Sequence, residues 1–205
     1  DIILPQSYRV PRSVQTIADK ILDRIPDTRR VKKNWKARDE EGMVDHITSI
    51  EDAPLHTGDW LVLARTNDRL EKLKPILRDM GIYFQFKGRK SFRASLFRSI
   101  LNYTRWQKGD LLSLSEVRDI IECTGMDFNP TEEKMYDLAD LTYDKTVNWF
   151  DVFIGDYEEC LYIRKMLSSR EKLSQDARVQ LSTIHSAKGG EAVSYTHLTL
   201  PTNRE

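Results

Sequence analysis

The sequence predicts an α/β fold in which a parallel sheet is interrupted by an α-helical insertion. A nearly continuous apolar run, Trp60-Leu-Val-Leu-Ala64, follows the turn signal Thr57-Gly58-Asp59 and is typical of a buried strand of a parallel sheet. A helical pattern and a second apolar run follow it, and the whole stretch of about 27 residues has the length of a strand–helix–strand crossover. From Phe92 to Arg178 the apolar spacing is helical, and a late strand follows.

The spacing of apolar residues and the turn signals define each further element. Asn67 or Asp68 can cap the helix of the crossover, and Gly81 can close it. The remaining predicted elements, in chain order, are a helix over Val14–Leu22, a short strand over Val44–Ile50, a helix over Asn67–Met80, a strand over Ile82–Phe86, helices over Leu96–Tyr103, Leu112–Ile121, Thr131–Leu141 and Tyr157–Leu167, and a strand over Val179–Ile184.

These elements predict four segments. Residues 1–91 hold the first part of the sheet domain, 92–177 the helical insertion, and 178–192 the return to the sheet. The last segment, 193–205, contains Pro201 and few core residues. It resembles the tails of proteins predicted from chimeric or adaptor-bearing sequence reads, so we expect it not to be native.

The formal net charge of zero hides an uneven distribution. With 32 basic and 32 acidic side chains in 205 residues, zero at first argues against a strong nucleic-acid binder. However, residues 1–38 carry a net charge of +6, residues 81–109 contain seven bases and no acid, and residues 110–160 carry a net charge of −11. A basic face can attract phosphate even on a neutral protein. We expect the acidic segment to be a solvated helical region that faces away from nucleic acid.

The basic segment 81–109 also contains seven aromatic residues. Interleaved bases and aromatics suit single strands, although most of these rings are expected to fill the core. For its cations Lys87, Arg89, Lys90 and Arg93, phosphate contact and a solvated surface both stay open.

Other classes of protein are disfavoured by what the sequence lacks. No apolar run approaches the roughly 20 residues that span a bilayer, so we expect no membrane partner and a cytoplasmic or nucleoid-associated protein. Cys123 and Cys160 form no CxxC pair, which argues against a zinc site and indicates buried thiols. We expect no metal ligands in this chain.

Two short segments carry residues suited to phosphate chemistry. In Leu4-Pro-Gln-Ser-Tyr-Arg-Val-Pro11, Arg9 could bind a phosphate with its planar fork, and Tyr8 could stack on a base; packing and a surface charge are the simpler alternative. In Leu181-Ser-Thr-Ile-His-Ser-Ala-Lys-Gly-Gly-Glu191, hydroxyls, glycines and Lys188 could surround an anion, and Glu191 could accept from a ribose hydroxyl. His185 could equally be structural.

Together these segments resemble the UvrD/Rep-type superfamily-1 DNA helicases. The first resembles their motif IV, Gln-x-Tyr-Arg before a helix, and the second resembles their motif V, Thr-Ile-His-Ser-Ala-Lys-Gly-x-Glu. Between them, Leu63-Ala-Arg-Thr-Asn67 and Met80-Gly-Ile-Tyr-Phe-Gln-Phe-Lys-Gly88 are similar to two further family segments in the same order. The resemblance covers about residues 2–192 and implies a second RecA-like motor domain with an inserted accessory subdomain.

The resemblance also implies roles for individual residues. Arg9 would reach the ATP γ-phosphate as an arginine finger, Tyr8 would stack on the adenine, and Glu191 would bind the ribose. Lys188 would link the nucleotide site to the interface with the first motor domain, and Gln6 and Gly189 complete the predicted ATP-binding set. Arg65, Thr66 and Asn67 would contact DNA, and Thr183, His185 and Ser186 would touch the single-stranded DNA or the interface with the first motor domain. The basic residues Lys87, Arg89, Lys90 and Arg93 are added to the predicted DNA contacts.

The sequence departs from the family in what it lacks. It contains no GxxxxGK[ST] phosphate loop, no Asp-Glu pair for Mg²⁺ and no motif VI, so the first motor domain and the Mg²⁺ ligands are expected outside this chain. The predicted function is part of an ATP-dependent 3′–5′ DNA helicase or translocase that acts on single-stranded DNA and on junctions of single- and double-stranded DNA. The chain alone is expected not to hydrolyse ATP. A helicase–nuclease subunit, a non-catalytic DNA-binding scaffold and an RNA motor stay open as alternatives.

Overall fold

The structure, a computed structural model, describes residues 5–30, 35–140 and 147–188, together with the backbone of 194–197. The chain divides into two compact units, Asp1–Asp52 and Ala53–Glu205, and each is described by itself. The four segments expected from the sequence remain predictions.

The first unit is built around helix α1, Arg12–Leu22, which confirms the helix predicted there. The Gln15 side chain fixes a neighbouring segment to this helix: its Nε2 donates to the Trp35 carbonyl at 2.7 Å, and its Oε1 accepts from the Ala37 N–H at 3.0 Å. The strand predicted over Val44–Ile50 is wrong. Met43 and Val44 are exposed, and without a paired strand the backbone stays irregular until a 3₁₀ turn at Ile50–Asp52.

The second unit contains a mostly parallel sheet of five strands, so the α/β class is confirmed. The strands are β1 (Trp60–Ala64), β2 (Phe84–Phe86), β3 (Arg89–Lys90), β4 (Val179–Thr183) and β5 (Ser194–His197). Their order is β3-β2-β4-β1-β5. β4 runs parallel to both β1 and β2, β5 runs parallel to β1, and only β3 is antiparallel to its neighbour.

The central strands form where the sequence predicted them. Val62 and Ala64 of β1 and Val179 and Leu181 of β4 are buried, which explains why these apolar runs lie inside the sheet. Helix α2, Asn67–Asp79, leaves the end of β1 as expected. Its N-cap is Thr66 rather than Asn67 or Asp68, and the Thr66 side chain forms no capping hydrogen bond.

Between β3 and β4 the chain is mainly helical. The helices are α3 (Ala94–Gln107), α4 (Leu114–Thr124), α5 (Trp149–Val152) and α6 (Tyr157–Ser168). The helix predicted over Thr131–Leu141 is wrong over its described part, where the only helical residues form the 3₁₀ turn Leu138–Asp140. Tyr136 instead exchanges backbone hydrogen bonds of 2.8 and 3.0 Å with Leu112, and that bridge requires extended backbone.

A hydrophobic core among the helices extends to the residues that flank β2 and β3. Tyr83 and Phe92, which flank β2 and β3, pack at 5.3 Å between ring centroids and belong to the same buried cluster as residues of α3, α4 and α6. Of the seven aromatics in the basic segment, Phe97 is partly buried and the other six are buried, so the expectation that these rings fill the core is confirmed. Cys160 is buried, whereas Cys123 is half-buried.

Among the described residues, no helix combines the length and the apolar character needed to cross a membrane.

Candidate nucleic-acid interface

The carboxyl ends of three parallel strands bring separate polar segments to one edge of the sheet. Ala64, the last residue of β1, is in register with Thr183, the last residue of β4, and the Ile184 N–H donates to the Ala64 carbonyl at 3.0 Å. On the other side of β4, Phe86 ends β2 in register with Leu181. The residues that follow the three strands therefore share this edge, which we call the carboxyl edge. Ligands favour this position in open α/β sheets.

The segment after β4 forms a compact hydroxyl-rich turn at the centre of the carboxyl edge. The Thr183 hydroxyl donates to the Ser186 hydroxyl at 2.9 Å and accepts from the Ser186 N–H at 3.1 Å. The Ala187 N–H donates to the Thr183 carbonyl at 2.9 Å, which closes the turn. His185, Ser186 and Lys188 are exposed there. Within four consecutive residues, the turn therefore exposes the imidazole of His185, the hydroxyl of Ser186 and the ammonium group of Lys188 to solvent.

The segment after β1 lies beside that turn. Arg65, Thr66 and Asn67 are all exposed, and α2 begins directly after Thr66. Because α2 begins directly after β1, the N–H groups of its first turn are directed toward the carboxyl edge. The Thr66 side chain does not cap them, and the positive end of the helix dipole adds to the charge of Arg65. Asp68 in that first turn pairs with Lys72 at 3.1 Å. This part of the carboxyl edge therefore offers several hydrogen-bond donors to an anion.

The segment after β2 is the tight turn of a hairpin. Lys87 and Gly88 connect β2 to β3, and both have positive φ, at 52° and 72°. Lys87, Gly88 and Arg89 are exposed. The Lys87 Nζ lies 5.1 Å from the centroid of the Phe86 ring, on which Lys74 also packs, at 4.3 Å. The turn therefore presents two exposed cations, of which Lys87 lies over a buried aromatic ring.

Lys90 and Arg93 take part in the folded structure instead. The Lys90 Nζ donates to the Leu173 carbonyl at 3.0 Å. The Arg93 guanidinium forms a two-pronged ion pair with Asp156, and the Arg93 N–H donates to Glu159 at 2.7 Å. The structure therefore separates the four cations that the sequence grouped together. No local pattern predicted these acidic partners, because they lie 63 and 66 residues further along the chain.

The segment that resembles motif IV lies in the first unit and forms a turn before α1. The Gln6 Nε2 donates to the Ala37 carbonyl at 2.9 Å, and the Ser7 hydroxyl accepts from the N–H groups of Arg9 and Val10 at 3.3 and 3.2 Å. Tyr8 is 83% exposed and Arg9 is exposed as well, so the turn presents a ring and a guanidinium to solvent.

The remaining residues predicted to bind ATP do not lie in the first unit. Lys188 belongs to the second unit, and the predicted contacts Gly189 and Glu191 lie outside the described residues. Over the described ranges, no group of three or more His, Cys, Asp or Glu side chains is arranged to hold a metal ion.

Comparisons with protein-family models, with curated proteins and with solved structures found nothing that matches this chain.

Proposed function

We propose that this chain is part of an ATP-dependent DNA helicase or translocase of the UvrD/Rep type, and that the carboxyl edge is its track for single-stranded DNA. In this proposal, the sheet belongs to the second RecA-like motor domain, and residues 92–177 are its accessory insertion. One observation carries the proposal. The segments that resemble the family's DNA-contacting segments, Arg65–Asn67 and Thr183–Ser186, are neighbours at one edge although they lie more than a hundred residues apart in sequence.

The chemistry of the carboxyl edge suits a nucleic-acid backbone. Arg65 can form paired hydrogen bonds to phosphate oxygens, and the side chains of Asn67 and Ser186 add neutral donors. His185, exposed in the turn after β4, offers a ring face and a ring N–H donor. Contacts of this kind fix the position of a strand without reading its sequence, as a motor that moves along DNA requires.

The nucleotide would be bound by residues of this chain together with those of a first motor domain. Tyr8 and Arg9 are exposed side by side, so a ring for stacking on adenine and a guanidinium for a phosphate are both accessible. Arg9 would stabilise the negative charge that develops on the γ-phosphate oxygens as the bond to the β-phosphate breaks. Mg²⁺ would supply further charge neutralisation, and by analogy with the family its ligands would belong to the first motor domain.

Motion would come from coupling between the two sites. Closure of the motor domains on ATP and reopening after hydrolysis would move the chain along the strand, 3′ to 5′ by analogy with the family. Lys188 directly follows the DNA-contacting turn and precedes the predicted nucleotide contacts at 189–191, so this short segment would carry the coupling.

The test is a titration of the full chain with labelled oligothymidylate at several salt concentrations. We expect binding that weakens as salt rises, and we expect Arg65→Ala to reduce the affinity by about tenfold or less, as for one charged phosphate contact. Arg170→Ala serves as the matched control, because Arg170 is exposed and its neighbour Glu171 pairs with Arg178 at the amino end of β4, opposite the carboxyl edge. Absence of binding, or an equal loss in both variants, contradicts the proposal.

A further inference from the structure

We propose that the hairpin turn Lys87-Gly88-Arg89 is a second phosphate-binding point for the strand on the carboxyl edge, and that Lys87 and Arg89 make its contacts while Lys90 and Arg93 do not. This inference rests on the proposed function and extends it, because it defines how far the strand runs across the sheet and which cations it meets. We call this element the hairpin turn.

The position of the hairpin turn follows from strand order and register. β4 lies between β1 and β2, so the hairpin turn and Arg65 flank the end of β4 at about two interstrand spacings, or roughly 10 Å. β2 ends opposite Leu181, two residues or about 7 Å before the end of β4, and the turn extends into that interval.

The backbone of the hairpin turn is fixed by its local conformation. Two consecutive residues with positive φ form the two-residue turn that matches the twist of paired strands. Gly88 adopts this conformation at little cost, and a Cβ placed on it would meet open space, so the outer side of the turn is accessible. Because the backbone conformation of the turn is set before a ligand arrives, the attachment points of Lys87 and Arg89 are fixed, and less backbone entropy is lost on binding.

The charges of Lys87 and Arg89 are available for a ligand. Among the described residues, neither side chain forms an ion pair with a carboxylate; Lys87 is held instead by the face of the Phe86 ring. That ring is buried, so a base cannot stack on it. The hairpin turn therefore contacts phosphate rather than base, and its contribution to binding should not depend on nucleotide sequence.

Lys90 and Arg93 contribute to the fold rather than to this surface. Lys90 binds the Leu173 carbonyl, and Arg93 is paired with Asp156. To reach a phosphate, Lys90 would have to break its hydrogen bond to Leu173, and Arg93 would have to break its ion pair with Asp156. Both contacts hold the residues at the end of the hairpin against the chain that leads to β4. The sequence treats the four cations as one group of candidates for phosphate contact, whereas their contacts in the structure leave only the Lys87 and Arg89 side chains without a hydrogen bond or ion pair among the described residues.

The test is the salt dependence of oligothymidylate binding to the full chain carrying Lys87→Ala or Arg89→Ala. Each variant should bind more weakly at low salt, and the slope of log K against log salt should become shallower by about 0.7 per lost contact. The matched control is Lys90→Gln in the same hairpin, which should keep the parent slope. An abasic oligonucleotide of equal length should show the same changes, because the contacts are to phosphate.

The outcomes separate this inference from the function it rests on. If Arg65→Ala weakens binding while Lys87→Ala and Arg89→Ala leave the slope unchanged, the hairpin inference is overturned and the track at Arg65 stands. If Lys90→Gln lowers the slope as much as the two test variants while its thermal midpoint is unchanged, the division of the four cations is overturned. If the parent chain does not bind the oligonucleotide, both proposals fail.

Discussion

Tyr162 shows how a single side chain can join the sheet to the helices. Its hydroxyl donates to the Ile82 carbonyl at 2.6 Å and lies 2.7 Å from the Ser91 hydroxyl, which in turn accepts from the Phe84 N–H at 3.2 Å. Since the one tyrosine proton goes to Ile82, Ser91 is the donor to Tyr162. Burial raises the pKa of Tyr162, so the hydroxyl keeps its proton through the neutral range. Tyr162 thus completes the hydrogen bonds at the entrance to β2.

Replacing Tyr162 with Phe should lower the free energy of unfolding by about 1–3 kcal/mol, because the buried Ile82 carbonyl and the half-buried Ser91 hydroxyl lose a partner while the ring remains. Urea denaturation of the full chain measures the change. Tyr157→Phe is the control, since Tyr157 is 53% exposed and its loss should cost less than about 0.5 kcal/mol. Equal losses in the two variants would show that the Tyr162 hydroxyl bonds contribute nothing specific.

At the scale of elements, local patterns succeeded where an apolar stripe had a surface to pack on. The helices α1, α2 and α6 and the strands β1 and β4 lie where spacing placed them. The two failures, at Val44–Ile50 and Thr131–Leu141, have a common cause: short segments take the conformation that their surroundings allow, and tertiary context overrides weak propensity. Buried Tyr136, paired with Leu112, shows this override directly.

Helix α4 has both of its ends fixed by sequence-local chemistry. Ser113 and Glu116 form a capping box, in which the Ser113 hydroxyl accepts from the Glu116 N–H and the Glu116 carboxylate accepts from the Ser113 N–H at 2.9 Å. Backbone hydrogen bonding from Ser113, followed by the Ser113 hydroxyl and Arg105, lowers the pKa of Glu116 despite the opposing effect of burial. Gly125 ends the helix with φ at 68°.

Ser113→Ala should therefore lower the free energy of unfolding by about 1 kcal/mol at neutral pH. Because the folded-state pKa of Glu116 is depressed, the stability it adds is present above the usual carboxyl pKa and is lost as pH falls through the folded-state value. The difference between parent and variant should shrink under acid, as followed by urea denaturation at several pH values. Ser95→Ala, at an exposed position in α3, should change little; a pH-independent difference for Ser113→Ala would contradict the role given to Glu116.

Across the second unit, folding brings part of the basic segment 81–109 into contact with part of the acidic segment 110–160. Arg98 pairs with Asp119 at 2.9 Å, and Arg105 pairs with Asp110 and Glu116 at 3.3 and 2.9 Å. Arg93 is neutralised in the same way by Asp156. Several acids of the segment 110–160 therefore line the basic segment instead of being merely solvated, and the net basic character at the carboxyl edge comes from a few exposed side chains.

Contacts between the two parts predict that the sheet of the second unit and the helices between β3 and β4 unfold together. Tyr83 and Phe92, which flank β2 and β3, pack in one cluster with Trp106 and Met166, and Tyr162 of α6 donates to the buried Ile82 carbonyl, so separating the sheet from the helices would expose buried rings and leave a buried carbonyl unpaired. Native-state hydrogen exchange should give the amides of β4, α3 and α6 the same free energy of opening, equal to that of global unfolding. Protection of the α3 and α6 amides that is lost well before that of β4 would contradict this, and would indicate an independently unfolding helical subdomain.

The sequence by itself determined the α/β class, most element positions, the core role of the aromatics and the order of the segments that resemble helicase motifs. These depend on spacing and on neighbours within a few residues, where periodicity and turn chemistry act. Only the tertiary structure decided that residues 65–67, 87–89 and 183–188 share one edge, and that Lys90 and Arg93 are engaged while Lys87 and Arg89 are exposed. The physical reason is that a charge is available only if no partner reaches it, and the partners here lie far away in sequence.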